Sequence, residues 1–236
     1  YHGGPVVLSM HVYTIFWDPG NNIDGNPNYR PLINRFFSDL AGSGFYGINT
    51  QYYQSPPKTF ISNSLTLAGT WHDTLSSGVG TGYPGGRGTS ANPLTDQDIR
   101  NEVSRAISVN GWPNGGSGVM FLVYTERGIE SCASGTDCTV GTAHPSYCAY
   151  HWSFVSNGNA VLYANMPYAN TWTSGFQYTC SSSVFNNSPN DRASDEEISQ
   201  SSHELFETVT DPLGDAWFDP VDNNSGEIGD KCAYYY

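Results

Sequence analysis

Apolar and polar residues follow one another along the chain in the two periods that distinguish strands from helices. Unbroken runs of β-branched, apolar and aromatic residues at positions 5–17 and 119–125 predict strands, and the second run predicts a strand covered on both faces. Two further runs, at residues 150–154 and 160–166, flank an Asn-Gly pair and predict a β-hairpin. Shorter runs of the same composition predict additional strands, at residues 46–54, 59–70 and 171–180.

Helical spacing of apolar residues predicts three helices. The first, at residues 31–40, begins with a proline, and the second, at residues 96–110, is capped by Thr95 and ended by Gly111. This alternation predicts an α/β (α+β) fold with one mixed, twisted sheet, in which the hairpin supplies an antiparallel edge strand before the last helix. No linker-like segment separates two cores, so residues 1–236 are expected to form a single domain.

The third helix is predicted at residues 194–212 and has both ends marked. Ser194 and Glu197 form the pattern of a capping box, and Pro212 cannot continue a helix because it lacks an amide hydrogen. Apolar residues at helical spacing predict a face directed to the core, formed by Ile198, Leu205 and Val209. The opposite face is a polar row, formed by Glu196, Gln200, His203, Glu207 and Thr210.

The polar row contains an H-E-x-x-E pattern that begins at His203 and ends at Glu207. Residues four apart on a helix have Cβ atoms about 6 Å apart, so His203 and Glu207 can both reach one Zn²⁺ ion at about 2 Å. Glu204 lies beside that pair, where its carboxylate can hold a water molecule against the metal. The arrangement is that of the H-E-x-x-H zinc proteases, with a carboxylate in place of the second imidazole. An acidic helix that carries a histidine by coincidence is the alternative interpretation.

A catalytic zinc site needs a third protein ligand, and several residues are candidates. Asp211 comes eight residues after His203, about 12 Å along the helix axis, so it is expected to cap the helix or to lie outside the metal ligands. Glu227 and Asp230 lie in a segment that returns past the helix, and either acid could complete the site. His151 is the other candidate, either as a ligand or as a hydrogen-bond donor to the oxyanion that develops during hydrolysis.

Two other groups of residues compete with this site. The C-terminal acids, together with Asp219, Asp222 and Asn224, could instead form a Ca²⁺ loop, although their spacing misses the EF-hand pattern. His72 and Asp73 are adjacent, but neighbours in a strand point to opposite faces, so a joint site is disfavoured.

Composition and charge limit the partners of the chain. The 236 residues include 22 acidic and 9 basic side chains, which gives a formal net charge of −13 at pH 7. Such a surface repels nucleic acids and anionic membranes, so neither is expected as a partner. No stretch has the length of a membrane span, and a sparse acidic surface suits a monomer secreted into mildly acidic surroundings. A leader is expected to have been removed, because the chain starts at Tyr1 without a methionine.

Cysteine and asparagine positions add expectations typical of an extracellular glycoprotein. The 5 cysteines show no C-x-x-C spacing, which favours two disulfides and one remaining thiol over a zinc ribbon. One bridge is expected within residues 132–148 and another between Cys180 and Cys232. Asn186 and Asn223 lie in N-x-S sequons and predict glycosylation in exposed loops.

Two C-terminal sequences resemble those of a known family. His-Glu-Leu-x-Glu-x-x-Thr-Asp-Pro-x-x-x-Ala-Trp at residues 203–217 and Glu-Ile-Gly-Asp-x-Cys at residues 227–232 are similar to motifs of the EXORDIUM-like, or phosphate-induced, protein family. Residues 147–151 (Tyr-Cys-Ala-Tyr-His) resemble that family's Cys-x-x-His segment, and residues 1–6 resemble the start of its domain. The resemblance covers nearly the whole chain, is specific at the C-terminal motif and is weak in the middle third.

The resemblance implies an extracellular protein, whose plant relatives are apoplastic growth-related proteins without firmly assigned chemistry. Branches of the family that lack the His-Glu pair also lack the aspartate that corresponds to Asp230, but they keep the glutamate that corresponds to Glu227. The resemblance therefore implies Asp230 as the third ligand, with Glu227 in reserve, in a metal-competent, zincin-like branch. Asp211 stands where many relatives carry Asn, which implies a role other than metal binding.

These observations together predict a secreted zinc-dependent endopeptidase that acts on polypeptides. In this prediction Zn²⁺ is held by His203, Glu207 and Asp230. Glu204 is the general base towards the attacking water, and His151 or a tyrosine donates a hydrogen bond to the oxyanion. Two alternatives stay open, namely a non-catalytic cell-wall binding or signalling protein of the EXORDIUM-like type and a metal-independent glycosidase that uses two carboxylates.

Overall fold

A computed structural model of the protein describes residues 1–75, 82–139, 146–169, 180, 189–222 and 226–232. In this part of the chain the helices are α1 (Tyr29–Leu40), α2 (Asp96–Asn110) and α3 (Arg192–Thr210). The strands are β1 (Met10–Trp17), β2 (Tyr53–Gln54), β3 (Thr59–Phe60), β4 (Leu65–Asp73), β5 (Leu94–Thr95), β6 (Val119–Thr125), β7 (Ser131–Cys132), β8 (Tyr150–Ser156) and β9 (Asn159–Met166). Three predicted features lie outside the described residues, namely most of the strand at 171–180 and the sequons at Asn186 and Asn223.

Five strands form the central sheet, in the order β4-β1-β6-β9-β8. β1 pairs in parallel with β4 and β6, β6 pairs in parallel with β9, and β8 runs antiparallel to β9 at the edge. All residues of β6 are buried, as expected for an apolar run in the middle of a covered sheet. The predicted mixed sheet with an antiparallel edge strand is confirmed.

The helices cover both faces of this sheet. Alternate residues of β6 point to opposite cores, because successive side chains of a strand leave opposite faces. Met120 and Leu122 pack in the core that contains residues of α1 and α3, whereas Phe121 and Val123 pack in the core that contains residues of α2. The helices of the described residues include none with the length and apolar character needed to cross a bilayer.

Helix α3 begins two residues earlier than predicted, and its cap is different. The side chain of Asp191 accepts a hydrogen bond from the amide of Ser194 (3.0 Å) and another from the side chain of Asn26 (2.7 Å). The predicted capping box of Ser194 and Glu197 is therefore wrong. A carboxylate held in place by Asn26 caps the helix one turn upstream, and Ser194 and Glu197 lie buried within α3.

The polar row of α3 is largely buried, whereas the polar face of a helix is normally exposed to solvent. Its members Glu196, Gln200, Glu207 and Thr210 are all buried. The predicted apolar face is confirmed in Leu205 and Val209, which are fully buried, and Ile198 packs against the same core. Helix α3 thus carries acidic side chains into the interior, where each needs a specific partner.

Three predicted strands differ from the structure. The strand predicted at residues 5–17 is shorter, because β1 begins at Met10. Residues 46–54 were expected to be extended, but Tyr46–Gln51 forms a 3₁₀ helix, which starts where the Ser43 side chain accepts a hydrogen bond from the Tyr46 amide (3.0 Å). Residues 59–70 divide into β3 and β4. Asn63, between them, donates a hydrogen bond to the Ser43 carbonyl (2.9 Å) and accepts one from the Gly42 amide (3.0 Å), so its side chain satisfies a neighbouring turn.

Two disulfide bonds join described residues, Cys132–Cys138 and Cys148–Cys180. The first lies within residues 132–148, as predicted. The expected bond between Cys180 and Cys232 is wrong, because Cys180 pairs with Cys148 just before β8. Both bonds indicate that the protein folds in an oxidising environment.

A buried carboxyl on α3 makes stability depend on pH. Glu197 accepts one hydrogen bond from the amide of Ala169 (3.0 Å). Burial, which this bond only partly offsets, raises the pKa of Glu197 from 4.5 to about 8. A carboxyl whose pKa is raised by folding stabilises the folded state below its unfolded pKa, and that contribution is lost as pH rises through its folded pKa.

We therefore expect the free energy of unfolding to fall between about pH 5 and pH 8, and to fall less steeply in Glu197→Gln. One pKa unit corresponds to about 1.4 kcal/mol, so the two profiles should diverge by a few kcal/mol across this range. Urea unfolding at intervals of pH measures both profiles. Asp39→Asn, at an exposed position of α1, controls for the loss of one acidic group. Parallel profiles for the wild type and Glu197→Gln would contradict this account.

Candidate metal centre

Helix α3 places His203 and Glu207 one turn apart on the side that faces the C-terminal segment. His203 Nε2 lies 3.0 Å from Glu207 Oε1 and 3.4 Å from Asp230 Oδ1. One ligand atom from each of the three residues lies within 4.8 Å of the others. Around a tetrahedral zinc ion with bonds of about 2.0 Å, ligand atoms are about 3.3 Å apart. The donor set predicted from the sequence therefore comes together with spacing that fits one metal ion.

The C-terminal segment reaches this position by passing directly over α3. The amide of Asp230 donates a hydrogen bond to Glu207 Oε1 (3.2 Å), which aligns the segment on the helix. A Cβ atom on Gly229 would lie 2.8 Å from both Glu207 Oε1 and His203 Cγ, so the approach requires glycine at this point. Sequence analysis did not single out Gly229, because nothing local shows which residue crosses the helix.

Beyond this crossing, Lys231 ties the segment to an upstream loop. Its ammonium group lies 2.7 Å from Asp219 Oδ2 and 2.9 Å from Asp222 Oδ2. These two acids belong to the alternative Ca²⁺ loop, of which Asn224 lies outside the described residues. The structure places an ammonium group between them.

Edge strand β8 brings His151 to the same group of side chains. His151 Nδ1 lies 3.1 Å from Glu204 Oε2 and 3.5 Å from Glu207 Oε2, and its Nε2 lies 3.7 Å from Glu227 Oε1. Every residue proposed for the site from the sequence is thus present in one cluster. One ligand atom from each of His151, Glu207 and Glu227 also lies within 4.8 Å of the others, which makes a second possible metal-binding group.

The electrostatics of the cluster reflect an excess of negative charge. Burial opposes protonation of His203, but its contacts with Asp230 and Glu207 outweigh burial and raise its pKa to about 11. His151 behaves alike: burial opposes protonation, while Glu204 and the nearby acids raise its pKa to about 9. Burial raises the pKa of Glu227 to about 8 and also raises that of Glu207. The imidazoles therefore hold protons strongly, in positions where a cation would relieve the same repulsion.

Asp211 lies outside both metal-binding groups, as expected. Its Oδ1 accepts hydrogen bonds from the amides of Asp215 (2.8 Å) and Ala216 (2.8 Å), and its own amide donates to the carbonyl of Glu207 (2.7 Å). Asp211 therefore closes the C-terminal end of α3 and sets the direction of the loop that follows it.

An open cleft lies beside the cluster, between β8 and the loop after α3. It has a volume of about 80 Å³ and is lined by residues 151–153, residues 211–214 and Glu227. Trp152 and Leu213 are 58% and 45% exposed, so two large apolar side chains border an acidic site. Sequence analysis missed both residues, because Trp152 looks like any apolar strand residue and Leu213 follows the helix in a loop.

His72 and Asp73 point apart, as the strand period predicted. His72 Nε2 lies 2.8 Å from Asp18 Oδ2, whereas Asp73 forms an ion pair with Arg105. The two side chains therefore do not form a joint site.

Gly229 provides a test of the crossing that assembles the ligands. In Gly229→Ala the added methyl carbon would contact Glu207 and His203 at distances shorter than van der Waals contact, so the ligands must separate. We expect zinc affinity to fall by at least about tenfold, as it does when outer contacts of a metal site are disturbed. Gly44→Ala is the matched control, because a Cβ there meets nothing within 4 Å. Competition with a chromophoric chelator measures both variants, and equal affinities would contradict the proposed packing.

Comparison with known proteins adds no assignment to this geometry. No family model, no curated protein sequence and no solved structure matches the chain. A function for the cluster is therefore inferred from its residues, their distances and their chemistry.

Proposed function

We propose that the protein is a secreted, zinc-dependent endopeptidase. The observation that carries this proposal is the convergence of His203, Glu207 and Asp230 on one point. Glu204 and His151 lie beside them, and His151 lines an open cleft. The two disulfides support secretion, since they require an oxidising compartment. The similarity to EXORDIUM-like proteins in the quoted motifs supports the same location.

The three ligands fit a zinc ion in number, donor type and spacing. When bound there, Zn²⁺ would polarise the scissile carbonyl and lower the pKa of a water molecule. Glu207 and Asp230 are carboxylates, which offset more of the charge of the ion than imidazoles would. A general base is therefore more important here than at a site with three histidines.

Glu204 is positioned to be that base. It is buried next to Glu207 on α3, and its Oε2 lies 3.1 Å from His151 Nδ1. A carboxylate at this position can take a proton from the attacking water and pass it to the leaving amine. His151 orients Glu204 through this contact, and in this proposal its ring also donates a hydrogen bond to the oxyanion that would develop on the substrate.

Edge strand β8 suggests how a substrate would lie. In the described sheet its pairing partner is β9, so its other edge is available to an extended chain. Trp152 and Leu213 stand along the cleft beside it and offer apolar surface to substrate side chains. A polypeptide is therefore the substrate class that this surface favours.

Glu204→Gln tests the proposed base. The amide keeps the shape of the side chain but cannot take a proton, so we expect hydrolysis of casein to fall by about a hundredfold to ten-thousandfold. Zinc content should stay equal to that of the wild type, because Glu204 is not a ligand in this proposal. Asp39→Asn serves as the control with full activity. Retained hydrolysis in Glu204→Gln would rule out this mechanism.

Asp230→Asn tests the third ligand. Replacing the carboxylate by an amide should weaken zinc binding by more than about tenfold, and added zinc should restore part of the lost activity. Asp215→Asn, an exposed position in the same C-terminal region, should keep both properties. In the wild type, a chelator should abolish hydrolysis and zinc should restore it. Hydrolysis that survives the chelator would contradict a metal-dependent reaction.

A further inference from the structure

Glu207 presents its two carboxylate oxygens to two different histidines. Oε1 lies 3.0 Å from His203 Nε2, and Oε2 lies 3.5 Å from His151 Nδ1. A carboxylate that binds a single ion needs only one of these oxygens. Glu207 thus lies between the two imidazoles and is the residue shared by the two possible metal-binding groups.

The second side of this bridge has its own donors. His151 and Glu227 complete a group with Glu207 whose ligand atoms lie within 4.8 Å of one another. Among the described residues, the contact found for the Glu227 carboxylate is with His151 Nε2 at 3.7 Å, which is too long for a hydrogen bond. That spacing is close to the separation of about 3.3 Å between two ligands of one tetrahedral ion.

Glu204 already occupies the position of an orienting carboxylate for His151. Metal-binding histidines commonly donate their second ring nitrogen to a carboxylate, which fixes the ring and its tautomer. Glu204 Oε2, 3.1 Å from His151 Nδ1, can make this contact and leaves Nε2 directed towards Glu227. His151 thus has the contacts expected of a metal-binding histidine as well as those of a histidine without a metal.

Charge balance favours two ions over one. Four carboxylates belong to the cluster, those of Glu204, Glu207, Glu227 and Asp230. Metal binding requires deprotonated carboxylates and neutral imidazoles. In that state the cluster carries four negative charges, which two divalent cations would balance and one would compensate only by half. Uncompensated charge away from water is costly, so a second ion would stabilise the cluster.

We propose that His151, Glu207 and Glu227 hold a second divalent metal ion, and that Glu207 bridges it to the ion at His203 and Asp230. The inference rests on the metal site of the proposed function and adds a dinuclear centre to it. Imidazole with two carboxylates suits Zn²⁺ and related transition-metal ions. Paired ions about 3.5–4 Å apart are known in aminopeptidases and phosphatases, where both stabilise the same transition state. A divalent ion held by these residues would supply positive charge beside the open cleft that His151 and Glu227 line.

Metal counting tests the proposal independently of activity. The full chain is stripped with a chelator, dialysed against buffered Zn²⁺ and analysed for zinc per chain. We expect two equivalents in the wild type and in Asp39→Asn, and one equivalent in Glu227→Gln and in His151→Ala. Loss of the Glu227 ligand should weaken binding of the second zinc ion by more than about tenfold. This loss is larger than the one expected when a contact outside the ligands is disturbed. Circular dichroism confirms that each variant is folded.

The outcomes separate this inference from the proposed function. One equivalent in the wild type would overturn the dinuclear centre and leave the single zinc site intact, whereas no zinc at all would overturn both. Two equivalents that persist in Glu227→Gln and His151→Ala would place the second ion elsewhere and overturn the inference. Electron paramagnetic resonance of the Co²⁺-loaded wild type gives a further measurement that needs no variant. Spin coupling between two ions supports the Glu207 bridge, and two uncoupled ions overturn it.

Discussion

Glu207 is the side chain on which the architecture of the site depends. It is buried on α3, yet it receives contacts from three separate parts of the chain: the imidazole of His203, the amide of Asp230 and the imidazole of His151. A buried carboxylate is costly unless such partners surround it. The C-terminal segment and edge strand β8 therefore meet α3 at this point, and the cleft forms where they meet.

Contacts outside the cluster hold its segments in place, although the acidic side chains within it repel one another. The Cys148–Cys180 bond anchors the chain just before the strand that carries His151. Lys231, next to Asp230, binds Asp219 and Asp222. Lys231 is exposed, so its ion pairs contribute mainly direction and little stability. The disulfide bond and the Lys231 ion pairs lie outside the acidic cluster. The carboxylates of the cluster therefore face one another and could bind a cation together.

Helix α3 joins structure and chemistry in one element. Its apolar residues Leu205 and Val209 pack into the sheet, and the same burial brings Glu204 and Glu207 close to the protein interior. A carboxylate in such a place interacts more strongly with a neighbouring charge than it would in water. The packing that stabilises the fold therefore also places these acids where they could bind a metal ion or a proton.

Much of this could be predicted from local sequence. The apolar run of β6, the capping of α2 by Thr95 and the hairpin of β8 and β9 follow from interactions between neighbouring residues, and all three were predicted correctly. The spacing of His203 and Glu207 by one helical turn could likewise be predicted from neighbouring residues. It depends only on the geometry of one turn, so it was visible without the rest of the molecule.

Contacts between distant segments were decided only by the tertiary structure. Asp191 displaced Ser194 as the cap of α3 because Asn26, far away along the chain, holds its carboxylate. Cys180 met Cys148 and not Cys232, and Gly229 became the crossing point over α3. The sequence by itself determined the apolar run of β6, the β8–β9 hairpin, the main helices and the spacing of His203 and Glu207 on α3, because periodicity and capping act over a few residues. Which remote side chains complete the site was settled by the packing of whole segments, since burial and charge compensation act across the entire chain.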